Sequence, residues 1–297
     1  MTELWLKDKE LVLKEEWFEL INSLKSDKSV TNKAEAKKVL KDKLIATIKS
    51  RSPNQKFGIF FSGGVDSTTI AILCKELEAD FTCYCVGFQD KDMKEPEDIT
   101  EAKKVAAKLG LPLKYKIYNM EEAEQIIKET LTILKKVDKT DVVNIGVGAV
   151  VLAAVKLAQQ DNINYFLGGL GSEEIFAGYD RHDKVEDINS ECWNGLLGMW
   201  ERDLVRDFNL SQALKFTIHT PFLDKDLIEY AMQLPGEWKL SREEKKIILR
   251  EIAEEWLGNF AWRKKKAAQY GSCFDKAISK LAKHAGFKLK KEWLESL

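Results

Sequence analysis

The chain has 297 residues, of which 44% are hydrophobic and 32% are charged. This length suits one large α/β domain with additions or two small domains, and the apolar content excludes an intrinsically disordered chain. A formal net charge of −1 excludes a protein that binds polyanions through its overall charge.

The cellular setting also follows from composition. The N-terminus is charged throughout and has no signal-peptide apolar core, and we find no apolar run of bilayer-spanning length. We therefore expect a cytoplasmic protein with no membrane partner. Five cysteines without the spacing of a disulfide framework or a CxxC site predict reduced, mostly structural thiols.

The first 50 residues read as two amphipathic helices, because apolar residues recur at roughly helical spacing among lysines and glutamates. Arg51-Ser52-Pro53-Asn54 breaks this pattern. We therefore divide the chain into a helical N-terminal extension over residues 1–55 and a second domain over residues 56–297.

From residue 56 onward, short apolar runs alternate with helical patterns. The predicted strands are 57–61, 81–88, 113–117 and 165–167, and the predicted helices between them are 66–77, 98–109, 120–136 and 145–160. This alternation predicts a doubly wound, mainly parallel α/β sheet. From residue 172 the chain looks helical to its end, and we expect a helical C-terminal part from about residue 190.

The first candidate site is the segment FGIFFSGGVDSTTIAIL at residues 57–73. A buried strand turns through two glycines directly into a helix N-terminus, which exposes backbone N–H groups and favours negative charge. A plain strand–turn–helix corner is the alternative, but the full pattern favours phosphate binding. The residues predicted to form this phosphate nest are Ser62, Gly63, Gly64, Val65, Asp66 and Ser67.

The better-known phosphate loop, GxxxxGK[ST], has a lysine near its end, which this loop lacks. Asp66 stands in this loop instead. A carboxylate beside phosphates requires a cation between them, so we infer Mg²⁺.

A second candidate site, GGLGSEEIFAGYDRH at residues 168–182, follows the last predicted strand. Glycines such as Gly169 and Gly171 suit tight turns near a ligand, and Glu173 and Glu174 open a helix. Both acids could serve only as favourable residues at a helix N-terminus. Because the carboxyl ends of parallel strands share one edge, a carboxylate here could instead complete the Mg²⁺ shell.

The SGGVDS loop resembles the signature of the PP-loop ATP pyrophosphatases, whose fold is that of the adenine nucleotide α-hydrolases. The resemblance implies cleavage of ATP between the α and β phosphates. Four further segments narrow it to the synthase domain of asparagine synthetases and β-lactam synthetases, with the greatest likeness to asparagine synthetase domain-containing protein and its archaeal relatives. These segments are residues 168–182, Val86-Gly87-Phe88, Thr220-Pro221-Phe222-Leu223-Asp224 and Trp262-Arg263-Lys264-Lys265-Lys266.

The resemblance also implies roles for individual residues. Glu173 takes the place of the family's Mg²⁺-binding aspartate, one methylene longer, and would act with Asp66. Lys265 corresponds to a lysine that supports the phosphates during adenylation, although a basic run of this kind is also typical of a solvated surface. Val86, Gly87 and Phe88 would lie beside the adenine.

The chain departs from the family on the acceptor side. Leu170 replaces a glutamate thought to act as a base, and general base catalysis is worth roughly 10²–10⁴-fold. Either another group such as Glu174 serves, or the nucleophile and acceptor differ. His219 replaces the arginine that precedes the family's Val-Pro-Phe-Leu-Asp.

The nitrogen donor is open as well. Thr2 follows Met1 and no cysteine precedes Cys74, whereas the family's glutaminase domain uses an N-terminal cysteine. We expect this chain to use free ammonia, a separate glutaminase subunit or a different amine.

The leading hypothesis is an ATP- and Mg²⁺-dependent, AMP-forming ligase that joins a small-molecule carboxylate to an amine, with aspartate as the leading acceptor. A PP-loop RNA-modifying enzyme is the alternative, since between residues 261 and 297 basic residues outnumber acidic ones ten to three. A non-catalytic nucleotide-binding relative is the third possibility.

Overall fold

The computed structural model describes residues 3–264 and 266–297. Within them the strands are β1 (Leu6–Lys7), β2 (Glu10–Leu11), β3 (Phe57–Phe60), β4 (Phe81–Phe88), β5 (Leu113–Tyr118), β6 (Tyr165–Leu167) and β7 (Thr217–His219). The α-helices are α1 (Lys14–Ser23), α2 (Lys33–Arg51), α3 (Val65–Glu76), α4 (Glu97–Leu109), α5 (Met120–Leu134), α6 (Val142–Gln159), α7 (Ser172–Ile175), α8 (Ile188–Met199), α9 (Val205–Leu214), α10 (Lys225–Met232), α11 (Ile247–Leu257), α12 (Ala268–Gly271), α13 (Phe274–His284) and α14 (Lys290–Glu295). A π-helical turn, Trp200–Leu204, joins α8 to α9.

The centre of the fold is a parallel five-stranded sheet with the order β5-β4-β3-β6-β7. The chain moves outward from β3 to β5, then returns to the other side of β3 through β6. This confirms the predicted doubly wound parallel sheet. Because the strand order reverses between β3 and β6, ligands are expected in the crevice beyond the carboxyl ends of these two strands.

The pattern predicted four strands of this sheet to within a residue, but it missed the fifth. Residues 217–219 lie in a stretch that we expected to be helical, and they form β7, paired in parallel with β6. Three residues are too few to show an alternating pattern. Pairing with the exposed edge of β6, which the sequence does not reveal, makes this segment a strand.

The prediction that residues 1–50 form two helices is wrong at the start of this segment. β1 and β2 form a small antiparallel hairpin, in which Asp8 and Lys9 have φ values of 53° and 70°. Positive φ at both central residues is typical of the two-residue turns that match strand twist. The apolar residues here fit either periodicity, and the turn decides between them.

The segment before α1 packs against the sheet. The indole Nε1 of Trp5 donates to Thr220 Oγ1 at 3.1 Å, and Trp5 is 1% exposed. Trp17 is fully buried and donates to the backbone oxygen of Leu196 at 2.9 Å. The first helices thus share one core with the sheet.

One helix of the described residues, α6, is long and apolar enough to cross a membrane by length and composition alone. The expectation that no apolar run is long enough to span a bilayer is therefore wrong for α6, although Asn144 and Lys156 interrupt its apolar sequence. Its mean hydropathy is 1.8, and 61% of it is buried inside the fold, where it packs against α5, α13 and β4. Packing in the core of an α/β domain accounts for this apolarity.

The predicted reduced thiols agree with the structure. All five cysteine side chains are buried, and no disulfide joins any of them in the described part of the chain. Burial raises the pKa of the Cys74 thiol to about 12, which makes its reactive thiolate scarce at neutral pH.

Glu3 joins the start of the chain to the end of β7. It is 3% exposed, and its carboxylate accepts hydrogen bonds from the backbone N–H of Thr220 at 3.1 Å and from the Thr220 hydroxyl at 2.5 Å. The carboxylate also lies 3.0 Å from His219 Nδ1 and 3.4 Å from Arg51 Nε. Burial raises the pKa of Glu3, but the bonds from His219 and Thr220 and the Arg51 charge together bring it below the ordinary 4.5.

We predict that Glu3→Gln lowers the free energy of unfolding by about 1.5–3 kcal/mol at pH 7, because hydrogen bonds to a buried charged group are lost. A depressed folded-state pKa stabilises the fold above the ordinary carboxyl pKa and ceases to do so as pH falls through the folded value. The difference between the two proteins should therefore shrink in acid. Urea unfolding from pH 7 to pH 3 measures this, with the exposed Glu10→Gln as control. An unchanged Glu3→Gln protein at pH 7 would contradict the assignment.

Candidate functional site

The phosphate nest takes its shape from Gly63 and Gly64. Gly63 has a φ of +68°, and a Cβ there would lie 3.0 Å from the Glu101 backbone. Gly64 forms the N-cap of α3 without a side-chain cap. The Ser67 hydroxyl donates to the backbone oxygen of Gly64 at 3.3 Å and accepts from the Ser62 N–H at 3.3 Å. The loop thus folds around a helix N-terminus, an arrangement typical of anion sites.

The two predicted loops are in contact. Gly169 follows β6, and a Cβ on it would lie 3.1 Å from the Cβ of Asp66. Gly171 has a φ of +97°, and a Cβ there would lie 2.5 Å from Leu223 Cδ2. Gly169 thus lets the second loop approach the first at the switch point of the sheet, and Gly171 lets the second loop pass over Leu223.

The centre of the site is Lys246, which lies between the two predicted metal-binding acids. Its Nζ donates to Asp66 Oδ1 at 2.9 Å and to Asp66 Oδ2 at 2.8 Å. The same atom lies 2.8 Å from Glu173 Oε1, and the Ser172 hydroxyl donates to Asp66 Oδ1 at 2.6 Å. Asp66 and Glu173 thus converge on one cationic position, the ammonium of Lys246.

Lys246 is buried, and its backbone holds it in place. Its side chain is 5% exposed, and its φ of 57° lies in the left-handed region at the N-cap of α11. A Cβ on Gly178 would lie 1.7 Å from Glu173 Oε2 and 2.3 Å from Lys246 Cε, so both side chains cross over that glycine. Burial opposes the charged form, but Asp66 and Glu173 together hold the pKa of Lys246 above its ordinary value.

Sequence reasoning missed Lys246. It lies in SREEKKIILREI, where a lysine pair precedes an amphipathic helix. Its neighbour Lys245 has an ordinary surface role, with its ammonium beside the carboxylates of Asp180 and Asp183. The sequence gives no signal that separates the two lysines, because the path of the chain decides which one enters the crevice.

Glu174 points into a different network from Glu173. Its side chain is fully buried and forms an ion pair with Arg202, which also contacts Asp203 Oδ2 at 2.7 Å. Burial, followed by the charge of Asp203, raises the pKa of Glu174 to about 7. A Cβ on Gly195 of α8 would lie 3.3 Å from Glu174 Cγ. Glu174 thus contacts α8, the π-helical turn and Tyr179, whereas Glu173 contacts Lys246.

The residues expected beside adenine lie at the carboxyl end of β4, next to the phosphate nest, but they are buried. A Cβ on Gly87 would lie 2.7 Å from Pro96 Cγ. Val86 is 3% exposed, and Phe88 is fully buried and donates its N–H to the backbone oxygen of Ser272 at 2.8 Å. These side chains support the wall of the crevice from within the core.

The basic run after α11 reaches the phosphate nest through Arg263. Its Nη1 donates to the backbone oxygen of Ser62 at 3.3 Å, and its Nε lies 3.5 Å from Glu101 Oε2. Lys266 Nζ lies 2.9 Å from Glu97 Oε2 on α4. Lys265, the lysine singled out from the sequence, lies outside the described residues.

The two departures on the acceptor side have different surroundings. Leu170 is half-buried and packs against the hydrophobic core. His219 is held by Glu3, so its ring belongs to the contact that secures the end of β7. Leu170, at the position of the family's glutamate, thus puts an apolar side chain between Gly169 and Gly171.

The sheet and its two loops define the chain as a doubly wound parallel α/β domain with a glycine-rich loop between β3 and α3. A family model described as asparagine synthase matches residues 40–193 and 183–295. The chain therefore belongs to the asparagine synthase family.

Individual relatives agree with this assignment. A protein of Methanocaldococcus jannaschii assigned as glutamine-hydrolysing asparagine synthetase 1 is 32% identical over 283 residues, covering 82% of this chain and 51% of its own length. Asparagine synthetase B of Escherichia coli is 25% identical, with 88% of this chain and 49% of its own length covered. The chain thus spans about half the length of these relatives. The solved structure of NMN synthetase from Francisella tularensis aligns at a TM-score of 0.35 and 16% identity over 88% of this chain and 98% of that chain, a likeness that carries no functional argument.

Ala177 provides a test of how the second loop is shaped. It is buried with a φ of 54°, a conformation that is strained for a residue with a Cβ. We predict that Ala177→Gly raises the free energy of unfolding by about 0.5–1 kcal/mol, because the strain removed exceeds the added entropy of the unfolded chain. Urea unfolding at pH 7 measures it.

The matched control is Ala107→Gly on the exposed face of α4. There the same change should destabilise the protein by about 1 kcal/mol, the ordinary helix penalty. Equal losses in the two variants would show that Ala177 is not strained.

Proposed function

We propose that this chain is an ATP-dependent, AMP- and pyrophosphate-forming amide ligase. The observation that supports it most is the convergence of Asp66 and Glu173 on one cationic position beside a phosphate nest. A substrate carboxylate would attack the α-phosphorus of ATP, and pyrophosphate would leave. A nitrogen nucleophile would then displace AMP from the acyl adenylate.

The donor set fits Mg²⁺. Among the described residues no cluster of three or more His, Cys, Asp or Glu side chains would hold a metal. Mg²⁺, however, is usually held by one or two carboxylates together with waters and substrate phosphates. Asp66 and Glu173 supply two carboxylates whose oxygens already surround a cation. When bound, Mg²⁺ would supply charge neutralisation at the phosphates.

The residues of the nest would bind and orient the departing pyrophosphate. The N–H groups of Gly63, Gly64 and Val65 and the hydroxyls of Ser62 and Ser67 would donate hydrogen bonds to phosphate oxygens at a helix N-terminus. Reactions of this type depend mostly on positioning and electrostatic stabilisation.

Two lysines would offset the charge that develops on the phosphates. Lys246 is supported by its burial at the metal-binding acids, and Lys265 by its family match and by the proximity of Arg263 to Ser62. Gly169 and Gly171 would let the backbone of the second loop lie close to the bound nucleotide. For Glu174 we favour a role in holding Arg202, since its carboxylate is fully buried in that ion pair.

Aspartate is the leading acceptor through family membership, with ammonia, an amine delivered by a separate glutaminase subunit or another amine as donor. Leu170 leaves the identity of the acceptor open, because leucine cannot act as the base that the family's glutamate supplies. A cytoplasmic location would suit this chemistry.

The basic C-terminal segment gives little support to RNA modification. Three of its lysines lie beside carboxylates of the same chain: Lys266 beside Glu97, Lys280 beside Asp90 at 2.7 Å and Lys290 beside Asp275 at 2.6 Å. Charges neutralised in this way add little to phosphate binding.

The experiment that tests the proposal is ATP–pyrophosphate exchange across a panel of carboxylic acids. At least one acid should support exchange, and Asp66→Asn should lower its rate by roughly 10²–10³-fold, the usual cost of removing one electrostatic group from an active site. The exposed Asp80→Asn is the matched control and should exchange at the wild-type rate. Nucleotide binding without exchange on any acid would favour a non-catalytic relative instead.

Leu170→Glu tests the acceptor side separately. Restoring the family's glutamate should raise ammonia-dependent asparagine formation by roughly 10²-fold or more, the lower end of general base catalysis. Amide formation from aspartate is measured by product analysis, with Leu170→Gln as a control of the same size and no basicity. High asparagine synthesis by the wild-type chain would show that the leucine is no obstacle.

A further inference from the structure

The position on which the two acidic side chains converge is occupied by the chain itself. The Lys246 ammonium lies within 2.9 Å of both Asp66 oxygens and 2.8 Å from Glu173 Oε1. Mg²⁺ takes carboxylate oxygens at about 2.0–2.1 Å. The ammonium and the metal thus compete for the same oxygens, and two cations in this space would repel each other strongly because the site is buried.

Lys246 has few other partners in this state. Besides the two carboxylates, its Nζ lies 3.4 Å from the Ser172 hydroxyl. Its side chain is 5% exposed, so moving the ammonium away from the carboxylates requires a new anion nearby, since an unpaired buried charge is costly. The phosphate nest begins at the same Asp66 loop, so a nucleotide polyphosphate bound there supplies this anion.

We propose that Lys246 gates the metal site: it fills the Mg²⁺ position in the nucleotide-free protein and moves to the phosphates when nucleotide binds. This inference rests on the proposed function. Nucleotide and metal then bind with positive coupling, and each raises the affinity for the other by the same factor. Metal alone binds weakly because it must displace a paired ammonium.

The experiment titrates Mn²⁺, a spectroscopic substitute for Mg²⁺, into the nucleotide-free protein and follows free Mn²⁺ by electron paramagnetic resonance. Lys246→Met should bind Mn²⁺ at least about tenfold more tightly than the wild type, within the usual range of coupling between two sites. Lys245→Met removes the adjacent lysine, which pairs with Asp180 and Asp183, and should bind Mn²⁺ as weakly as the wild type.

A second measurement adds α,β-methylene-ATP, which resists cleavage between the α and β phosphates. After correction for Mn²⁺ held by the analogue in solution, wild-type affinity for Mn²⁺ should rise at least about tenfold, whereas that of Lys246→Met should change less. Lys246→Gln gives the same comparison should the methionine variant fail to fold. The wild-type measurements with and without analogue need no variant.

The outcomes distinguish failure of the Lys246 gate from failure of the proposed metal-dependent function. Equal Mn²⁺ affinity in nucleotide-free wild type and Lys246→Met overturns the gate and leaves the metal site standing. Absence of Mn²⁺ binding to every protein, with or without analogue, overturns both the gate and the assignment of Asp66 and Glu173 as metal ligands.

Discussion

Two carboxylates that belong to different loops meet at one point in the crevice, and much of the surrounding structure keeps them there. Their approach is a consequence of sheet topology, since β3 and β6 are parallel neighbours and the two loops follow their carboxyl ends. Two carboxylates that contact one atom repel each other, so the arrangement requires a cation between them. In the described structure that cation is the ammonium of Lys246.

The close approach of the two carboxylates and Lys246 also explains the glycines around the site. Gly169 allows the second loop to approach Asp66, and Gly178 leaves room for the carboxylate of Glu173 and the stem of Lys246. Each is needed because side chains from two or three segments pass through one small volume. Ala177, next to Gly178, accepts a strained backbone so that this crossing can form.

Local pattern was sufficient for the elements whose signals are local. The apolar runs of β3 and β4 and the two glycine-rich loops follow from periodicity and turn chemistry, and the parallel order places both loops at one edge. β7 and the role of Lys246 could not be predicted from local sequence pattern. A three-residue strand and one lysine among 47 basic residues acquire their roles only through contacts with distant segments. Glu173 and Glu174 show the limit most clearly, since adjacent identical residues point into different networks.

The contact of Glu3 with Thr220 has a consequence for how the chain folds. These residues are separated by 217 positions, so the contact forms only after the segment that carries β7 has been synthesised. Until then Trp5, which is buried in the final structure, lacks the Thr220 hydroxyl to which its indole donates. Contacts of such long range form slowly and leave intermediates open to aggregation. The segment before α1 is thus made long before β7 and completes its packing only when this last strand of the sheet has formed.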